Sequence, residues 1–299
     1  MKKIPILFLF FTLTLNLKSQ WLWDYGFRLG ASNYLGDLGG KEKTRRDFVA
    51  DMKLAKTRWD GGIFIRYKWQ PKLSLKMALD YVRIEGDDKL STNPGRMYRN
   101  WNFKNDLIDL GLTGEFFFYE DPDLGNTYRY RNSFRAYVFG GAGVTYTNPK
   151  TIYKGNWVSI SDFPVEDHPI KKFVLNIPMG AGFYFTFDKK HRIGFEMNYR
   201  KTFTDYLDGV SNNYPAQNPG KMPDDYYIRT LQLPNNDAGA YNSHTWGKKR
   251  GDPTHKDSYM TLSLSYSYVI RGKSSFYKAR RTGLFGGKKR KMRKIRAKF

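Results

Sequence analysis

The chemistry this chain could carry lies in two carboxylates, four histidines and one cationic run. Glu115 and Glu196 both fall on the polar side of alternating segments, and a facing carboxylate pair is what general acid–base catalysis uses. The same side also carries Arg28, Arg66, Lys68, Lys76, Arg135 and Arg200 against Asp80 and Asp109. Structural ion pairing is therefore the stronger reading of Glu115 and Glu196. His168, His244 and His255 fall in long connections with Asp205, Asp208, Ser243 and Asp252, and His191 falls in a short one. None of these spacings makes a compact metal or triad motif, although a triad assembles from distant residues in any fold. Asn93-Pro94-Gly95 and Asn218-Pro219-Gly220 are turn signals rather than phosphate loops. The chain has no cysteine, which excludes a disulfide scaffold, a Cys-ligated zinc site, an iron–sulfur cluster and a bacterial lipoprotein. The expectation is no enzyme: no catalytic residue, no metal, no cofactor and no small-molecule substrate.

The cationic run is residues 271–299, which hold thirteen Lys or Arg and no acid. Self-repulsion and Gly283, Gly286 and Gly287 leave such a segment disordered when free. Its densest part, Lys288, Lys289, Arg290, Lys291, Arg293, Lys294, Arg296 and Lys298, is the candidate partner-binding set. Phe285, Met292, Ile295 and Phe299 could anchor it on an acidic protein. A solvated tail, or one resting on anionic lipid headgroups, is the alternative.

What must position these groups is set by composition and by the N-terminus. There are 51 Lys and Arg against 28 Asp and Glu, a net charge of +23, and 17% aromatic residues. So many aromatics argue against a disordered basic protein and suit β-structure and membrane-interface belts. Lys2 and Lys3 precede an apolar run of about ten residues, Ile6 to Leu15, too short to span a bilayer. With polar residues to Gln20 and a small Ser19, this reads as a secretory signal cleaved near Ser19–Gln20. A secreted chain meets no DNA or RNA, so the basic balance does not imply a nucleic acid. No other segment approaches eighteen consecutive apolar residues, which leaves a barrel as the membrane option.

The mature chain shows eight runs of period-2 alternation, the mark of strands with one apolar face. They lie near Asp24–Tyr34, Gly62–Trp69, Leu73–Tyr81, Leu107–Tyr119, Phe134–Tyr146, Phe173–Phe187, Ile193–Thr204 and Ser258–Ile270. Each is about ten residues or more, the length a tilted transmembrane strand needs. The polar face is rich in glycine, as a crowded lumen requires. Tyr25, Trp69, Tyr81, Phe118, Tyr146, Phe187, Tyr199 and Tyr268 gather near the stripe ends, where girdles sit. Connections alternate long and short, as for a barrel with short periplasmic turns and longer external loops. A soluble β-sandwich or lipocalin-like barrel has no reason to segregate its loops this way.

The fold class expected is all-β: an eight-stranded antiparallel up-and-down transmembrane β-barrel with a basic C-terminal tail. The organisation is a signal peptide over 1–19, an outer-membrane barrel over 20–270 and a basic periplasmic tail over 271–299. Both termini face the periplasm, and a long external loop covers 206–256. An eight-stranded lumen is just wide enough to be filled by side chains. Unpaired charge there is costly, so a nearly balanced salt-bridge network should plug it.

One motif carries a resemblance. Ser32-Asn33-Tyr34-Leu35-Gly36-Asp37-Leu38 closes the first strand and opens the first external loop. It resembles the start of the PorG-like outer-membrane barrels of the type IX secretion (gliding-associated) machinery of Bacteroidetes. The resemblance implies a non-catalytic component of a protein secretion machine, embedded among outer-membrane lipids. Its implied partners are the periplasmic ring proteins, a lipoprotein and its companion subunit. Whether the tail or the short turns would contact that ring stays open. The alternative function is an independent small outer-membrane barrel: a structural or envelope-binding protein, or a lipid-modifying enzyme.

Overall fold

The computed structural model describes residues 23–36, 38, 54–70, 72–91, 96, 99–120, 133–162, 165–166, 168–188, 190–218, 220, 223–227 and 246–270. The expected signal (1–19), the tail (271–299), Asn93-Pro94-Gly95, Ser243 and His244 lie outside the described residues. Ten strands are present: β1 (Trp23–Leu35), β2 (Arg58–Gln70), β3 (Leu73–Asp87), β4 (Asn102–Glu120), β5 (Ser133–Tyr146), β6 (Lys150–Tyr153), β7 (Asn156–Ser159), β8 (Phe173–Phe187), β9 (His191–Thr202) and β10 (Ser258–Ile270). Eight of them form a closed antiparallel barrel: β1, β2, β3, β4, β5, β8, β9 and β10 pair in that order around the ring. The seam joins β1 to β10 along their full lengths, from Trp23 opposite Ile270 to Leu35 opposite Ser258. Closure leaves no barrel strand with a free edge, the condition for backbone inside a bilayer. The short β6–β7 hairpin is an addition to the eight expected strands. It stands on the β5–β8 connection, pairs with β4 in the ladder at Lys104–Lys150, and bonds Asn102 of β4 through the Thr151 hydroxyl (2.8 Å) and the Ile152 N–H (3.0 Å).

Connections segregate by end. The turn end carries the links between Gln70 and Leu73, Glu120 and Ser133, and Phe187 and His191, together with both ends of the barrel segment. The loop end carries 36–57, 88–101, 147–172 and 203–257.

The eight expected runs coincide with the eight barrel strands, and Phe173–Phe187 and Ser258–Ile270 match end to end. The largest differences are at the loop end of β3 and β4. β3 continues six residues past Tyr81, and β4 begins five residues before Leu107. The reason is an inversion of polarity. Up to Tyr81 the apolar residues point out and the polar ones in. Beyond it, Val82 and Ile84 point in and are buried, while Arg83 and Glu85 point out. On β4, Phe103 and Leu107 are buried inward while Lys104 and Asp106 face outward. The alternation never stops; its sign changes where the outer surroundings change from lipid to water.

Below the inversion the barrel is apolar outside. Ile63, Leu79, Leu112, Leu175 and Leu264 are all exposed on this face, Leu112 by 57% and Leu264 by 65%. A contiguous apolar belt of that size is a lipid-facing surface. Aromatic pairs edge it: Trp23 with Tyr67 (4.7 Å between ring centroids) and Phe134 with Phe185 (4.8 Å) at the turn end, Trp59 with Tyr81 (4.8 Å) and Tyr146 with Phe173 (5.4 Å) towards the loops. These rings sit where interface girdles belong.

Candidate functional site: the filled lumen and the loop cap

The lumen holds ten ionised side chains joined in one alternating series. Five strands supply them, β1, β2, β3, β4 and β9, because every second residue of a strand points inward. Starting at the turn end, Arg192 Nη1 lies 2.7 Å from Asp24 Oδ2, and Asp24 in turn lies 3.0 Å from Arg66 Nη1. Arg66 Nε contacts Glu115 at 2.7 Å, and Lys76 Nζ bridges Glu115 (3.3 Å) to Glu196 (2.5 Å). Glu196 continues to Arg28 at 2.5 Å, and Arg28 grips Asp80 through both its Nε (2.7 Å) and its Nη2. Asp80 accepts from Arg200 at 2.7 Å, and Arg200 ends the series on Asp109 at 2.5 Å. Five cations alternate with five acids, and Asp60 adds a sixth acid that accepts from Ser263 at 2.8 Å.

Neutral donors complete the carboxylates. Tyr137 donates to Glu196 at 2.8 Å; Thr145 and Asn176 donate to Asp109 at 2.7 and 2.6 Å. Phe117, Tyr137, Phe139 and Tyr184 fill the turn-end half of the interior. The Lys76 ammonium sits 4.7 Å from the Phe139 ring centroid, and the Arg66 guanidinium 5.1 Å from that of Tyr184. Cations over ring faces gain from the ring quadrupole, more so when desolvated. Gly62 is required by this packing: a β-carbon there would stand 2.0 Å from the Asp80 carboxylate and 2.7 Å from the Leu79 carbonyl.

Eight of the ten charged residues read from the sequence as inward lie in this series. Glu115 and Glu196 are brought together, but with Lys76 between them rather than substrate space. Lys68 and Arg135 are only half-buried, near the turn end, and Arg135 pairs with Glu120. Three lumen ions were missed. Asp24 lies at the edge of its apolar run, Asp60 lies before the alternation of β2 becomes apolar, and Arg192 was read as part of a turn.

The loop end is closed by a second packed body. Tyr34, Leu38, Val82, Ile84, Trp101, Phe103, Leu107, Ile160, Leu207, Val210, Tyr226 and Tyr259 form one buried apolar cluster. Trp101 is its centre: 1% exposed, its indole N–H donates to the Asp208 carbonyl at 3.1 Å, and the Arg250 guanidinium stands 4.4 Å from its ring centroid. Arg99 clamps Asp88 with two hydrogen bonds, 2.6 and 2.9 Å, and also donates to the Arg250 carbonyl at 2.8 Å. Burial disfavours the Arg99 charge, but the Asp88 carboxylate more than offsets it and its pKa is raised. Glu166 accepts from the backbone of Ser211 and Asn212, at 2.9 and 2.8 Å, and from Arg250 at 2.8 Å.

The Ser32–Leu38 stretch ties this cap to the barrel. The Tyr34 hydroxyl lies 2.8 Å from Asp208 and 2.6 Å from Asp257; Ser32 donates to the Arg83 carbonyl; Ser258 donates to the Leu35 carbonyl at 3.1 Å. The described histidines are scattered. His168 stacks on Tyr206, and His191 Nδ1 meets the Tyr266 hydroxyl at 2.7 Å. His255 shares a local turn with Asp252 and Thr254, whose hydroxyl holds the Asp252 carboxyl below its ordinary range. Gly220 N donates to Asn218 Oδ1 at 2.8 Å, a turn as expected. Among the described residues no group of three potential ligands is placed to hold a metal.

Among curated proteins none matches this sequence. In fold the chain is similar to the N-terminal β-barrel domain of OprF from Pseudomonas aeruginosa, at 10% identity over 84% of this chain and 100% of that one, with a TM-score of 0.35. It is similar to Ail, the attachment invasion locus protein of Yersinia pestis, at 10% identity over 83% and 99%, with a TM-score of 0.35. It is also similar to the outer membrane protein OprG from Pseudomonas aeruginosa, at 7% identity over 85% and 99%, with a TM-score of 0.36. The assignment as an eight-stranded barrel of the outer-membrane type rests on the closed ladder and its apolar belt. A family model described as a domain of unknown function matches residues 2–233, most of the sequence, and the chain belongs to that family, DUF6089.

Proposed function

We propose that this protein is a non-catalytic component of the bacterial outer membrane that docks a periplasmic ring of a secretion machine. The observation that carries the reading is the lumen, occupied from the turn end to the cap by paired side chains. A barrel whose described interior is filled with paired side chains offers its surfaces: the lipid face, the cap, the turns and the tail. The difference in connection length supports an orientation with turns and both termini in the periplasm and the cap outside. The secretion role itself draws on the resemblance of Ser32–Leu38 to PorG-like barrels. The described residues of that stretch, 32–36 and 38, are buried between strand and cap, so the motif speaks for the kind of barrel and not for a contact. The ring contact falls to the turn end, around 70–73 and 187–191, and to the basic tail with Lys288–Lys298.

Crosslinking in native envelopes, followed by identification of the captured proteins, tests this. Capture of a periplasmic lipoprotein and a companion subunit is the expected result. Capture of neither, with the folded barrel resident in the outer membrane, would return the protein to an independent small barrel, structural or envelope-binding. Lipid hydrolysis or acyl transfer by the purified protein would make it an enzyme.

A further inference from the structure

Charge is unevenly neutralised around the loop end of the barrel. On the β2–β3 side, cations meet acids: Arg83 lies 2.6 Å from Asp106, Arg58 2.6 Å from Glu85, and Lys56 3.4 Å from Asp87. The other side, running from β4 through β8 to β10, carries six lysines. Lys104 is on β4, Lys150 opens β6, Lys171 and Lys172 lead into β8, Lys201 is near the end of β9, and Lys256 leads into β10. Lys104, Lys150, Lys171, Lys172 and Lys256 make no ion pair with any described carboxylate. Lys201 turns its ammonium to the Lys256 carbonyl, which ties the β9 and β10 members together.

Two features mark this arc as more than a solvated rim. Lys104 and Lys150 are direct partners in the strand ladder. Lys104 also faces Glu85 on β3 and lies near Asp106 on its own strand, but those acids are already paired with Arg58 and Arg83. Like charges opposed on a sheet are destabilising, and a further anion between Lys104 and Lys150 removes the penalty. The Lys104 ammonium also lies 5.5 Å from the Trp157 ring centroid, which holds it on the outer surface. The arc has, moreover, a fixed height. Lys171 is two residues beyond the exposed Phe173, Lys201 two beyond Tyr199, and Lys104 four beyond the exposed Ile108. The lysines therefore stand at the edge of the lipid belt, where headgroup phosphates lie. Lysine binds phosphate as a point charge on a flexible stem.

We propose that the arc binds the phosphate groups of a phosphorylated glycolipid of the outer leaflet, of the lipid A class, whose acyl chains pack on the belt below. The proposal rests on the outer-membrane reading and its orientation. Opposed lysines suit a headgroup that presents more than one phosphate, and the apolar belt directly beneath gives the same molecule a place for its chains.

The test uses the full chain refolded into phosphatidylcholine nanodiscs doped with diphosphoryl lipid A, with lipid retention read by native mass spectrometry. The test variant carries Lys104→Gln, Lys150→Gln, Lys171→Gln, Lys172→Gln and Lys256→Gln. A control carries Lys72→Gln and Lys190→Gln at the turn end. Retention should fall about tenfold or more in the test variant, since each lysine near an anionic headgroup adds to the attraction. It should hold in the control, and dephosphorylated lipid A should be retained weakly by all three proteins. Equal retention by the test variant and the parent overturns the proposal and assigns the binding to the tail. Displacement of the lipid by millimolar inorganic phosphate also overturns it, because the site would then read a free anion. Heat-dependent gel migration of each protein in plain phosphatidylcholine reports barrel insertion separately, so loss of lipid A binding is not confused with loss of the membrane barrel.

Discussion

β3 and β4 run through two bodies of opposite construction. Within the lipid belt, Leu79 and Leu112 face outward while Asp80 and Glu115 are buried inside. A few residues along the same strands, Arg83 and Asp106 face outward while Val82 and Leu107 are sealed within the cap. The backbone ladder is continuous across the change, from Leu73 opposite Phe116 to Asp87 opposite Asn102. The lesson is that strand formation here does not depend on which face is apolar. Each face takes the polarity of what it touches, and the interior is settled by whatever fills it: ion pairs in the belt, aromatic rings in the cap.

The sharpest way to break the comparison is to attack each interior with one substitution. Glu196→Leu removes the link between Arg28 and Lys76 and leaves the Tyr137 hydroxyl without its acceptor. Breaking a buried pair in this way costs about 3–5 kcal/mol, and the barrel should lose heat-dependent migration at a lower temperature. Trp101→Ala should cost a similar amount, about 3–5 kcal/mol, but in the cap alone. Protease should then cut the loops while the barrel keeps its folded gel position. Joint loss of cap and barrel in either variant would mean that they fold as one unit.

A smaller effect separates the two exteriors. Leu112→Arg, on the lipid face, should cost about 2–4 kcal/mol of folding stability in bilayers. Arg83→Leu, just beyond the inversion, removes a partly exposed pair worth about 0–1 kcal/mol. Equal costs in urea titrations of the two variants would show that the belt ends elsewhere. The plugged interior also predicts no stable conductance in planar bilayers. Reproducible porin-sized steps would show a solvent path through the ion series. The smallest expected effect on the barrel is from the tail. Truncation after Arg271 should leave insertion and heat stability unchanged, since β10 ends at Ile270. The same truncation should weaken partner capture, and capture by the intact chain should fall with salt, because exposed charges are screened over about 8 Å at physiological ionic strength.

Much of this was legible in the sequence, and the gaps have physical causes. The belt strands could be read because lipid imposes one sign on every outward residue. Arg28, Asp80, Arg66 and Glu115 were recognisable as lumen residues because each shares an inward parity with glycines or polar residues, though which cation meets which acid was not. The loop ends of β3 and β4 were cut short because Val82, Ile84 and Phe103 carry their apolar side inward, against the pattern being followed. The cap was invisible because Trp101, Ile160, Leu207 and Tyr226 come from three separate connections with no shared period. Their meeting depends on long-range bonds such as Arg99 to the Arg250 carbonyl and Tyr34 to Asp257.

The order of the ion series along the chain constrains how the barrel is made. Asp24, on the first strand, has its partners on β2 and β9, and Arg28 has its own on β3 and β9. Asp80 likewise awaits Arg200. A chain inserted as far as β5 would hold Asp24, Arg28 and Asp80 with part of their complement missing. Only arrival of β9, and of β10 at the seam, satisfies them. The lumen charges thus penalise every partial assembly, so that the barrel is favoured only once the last strand has met the first.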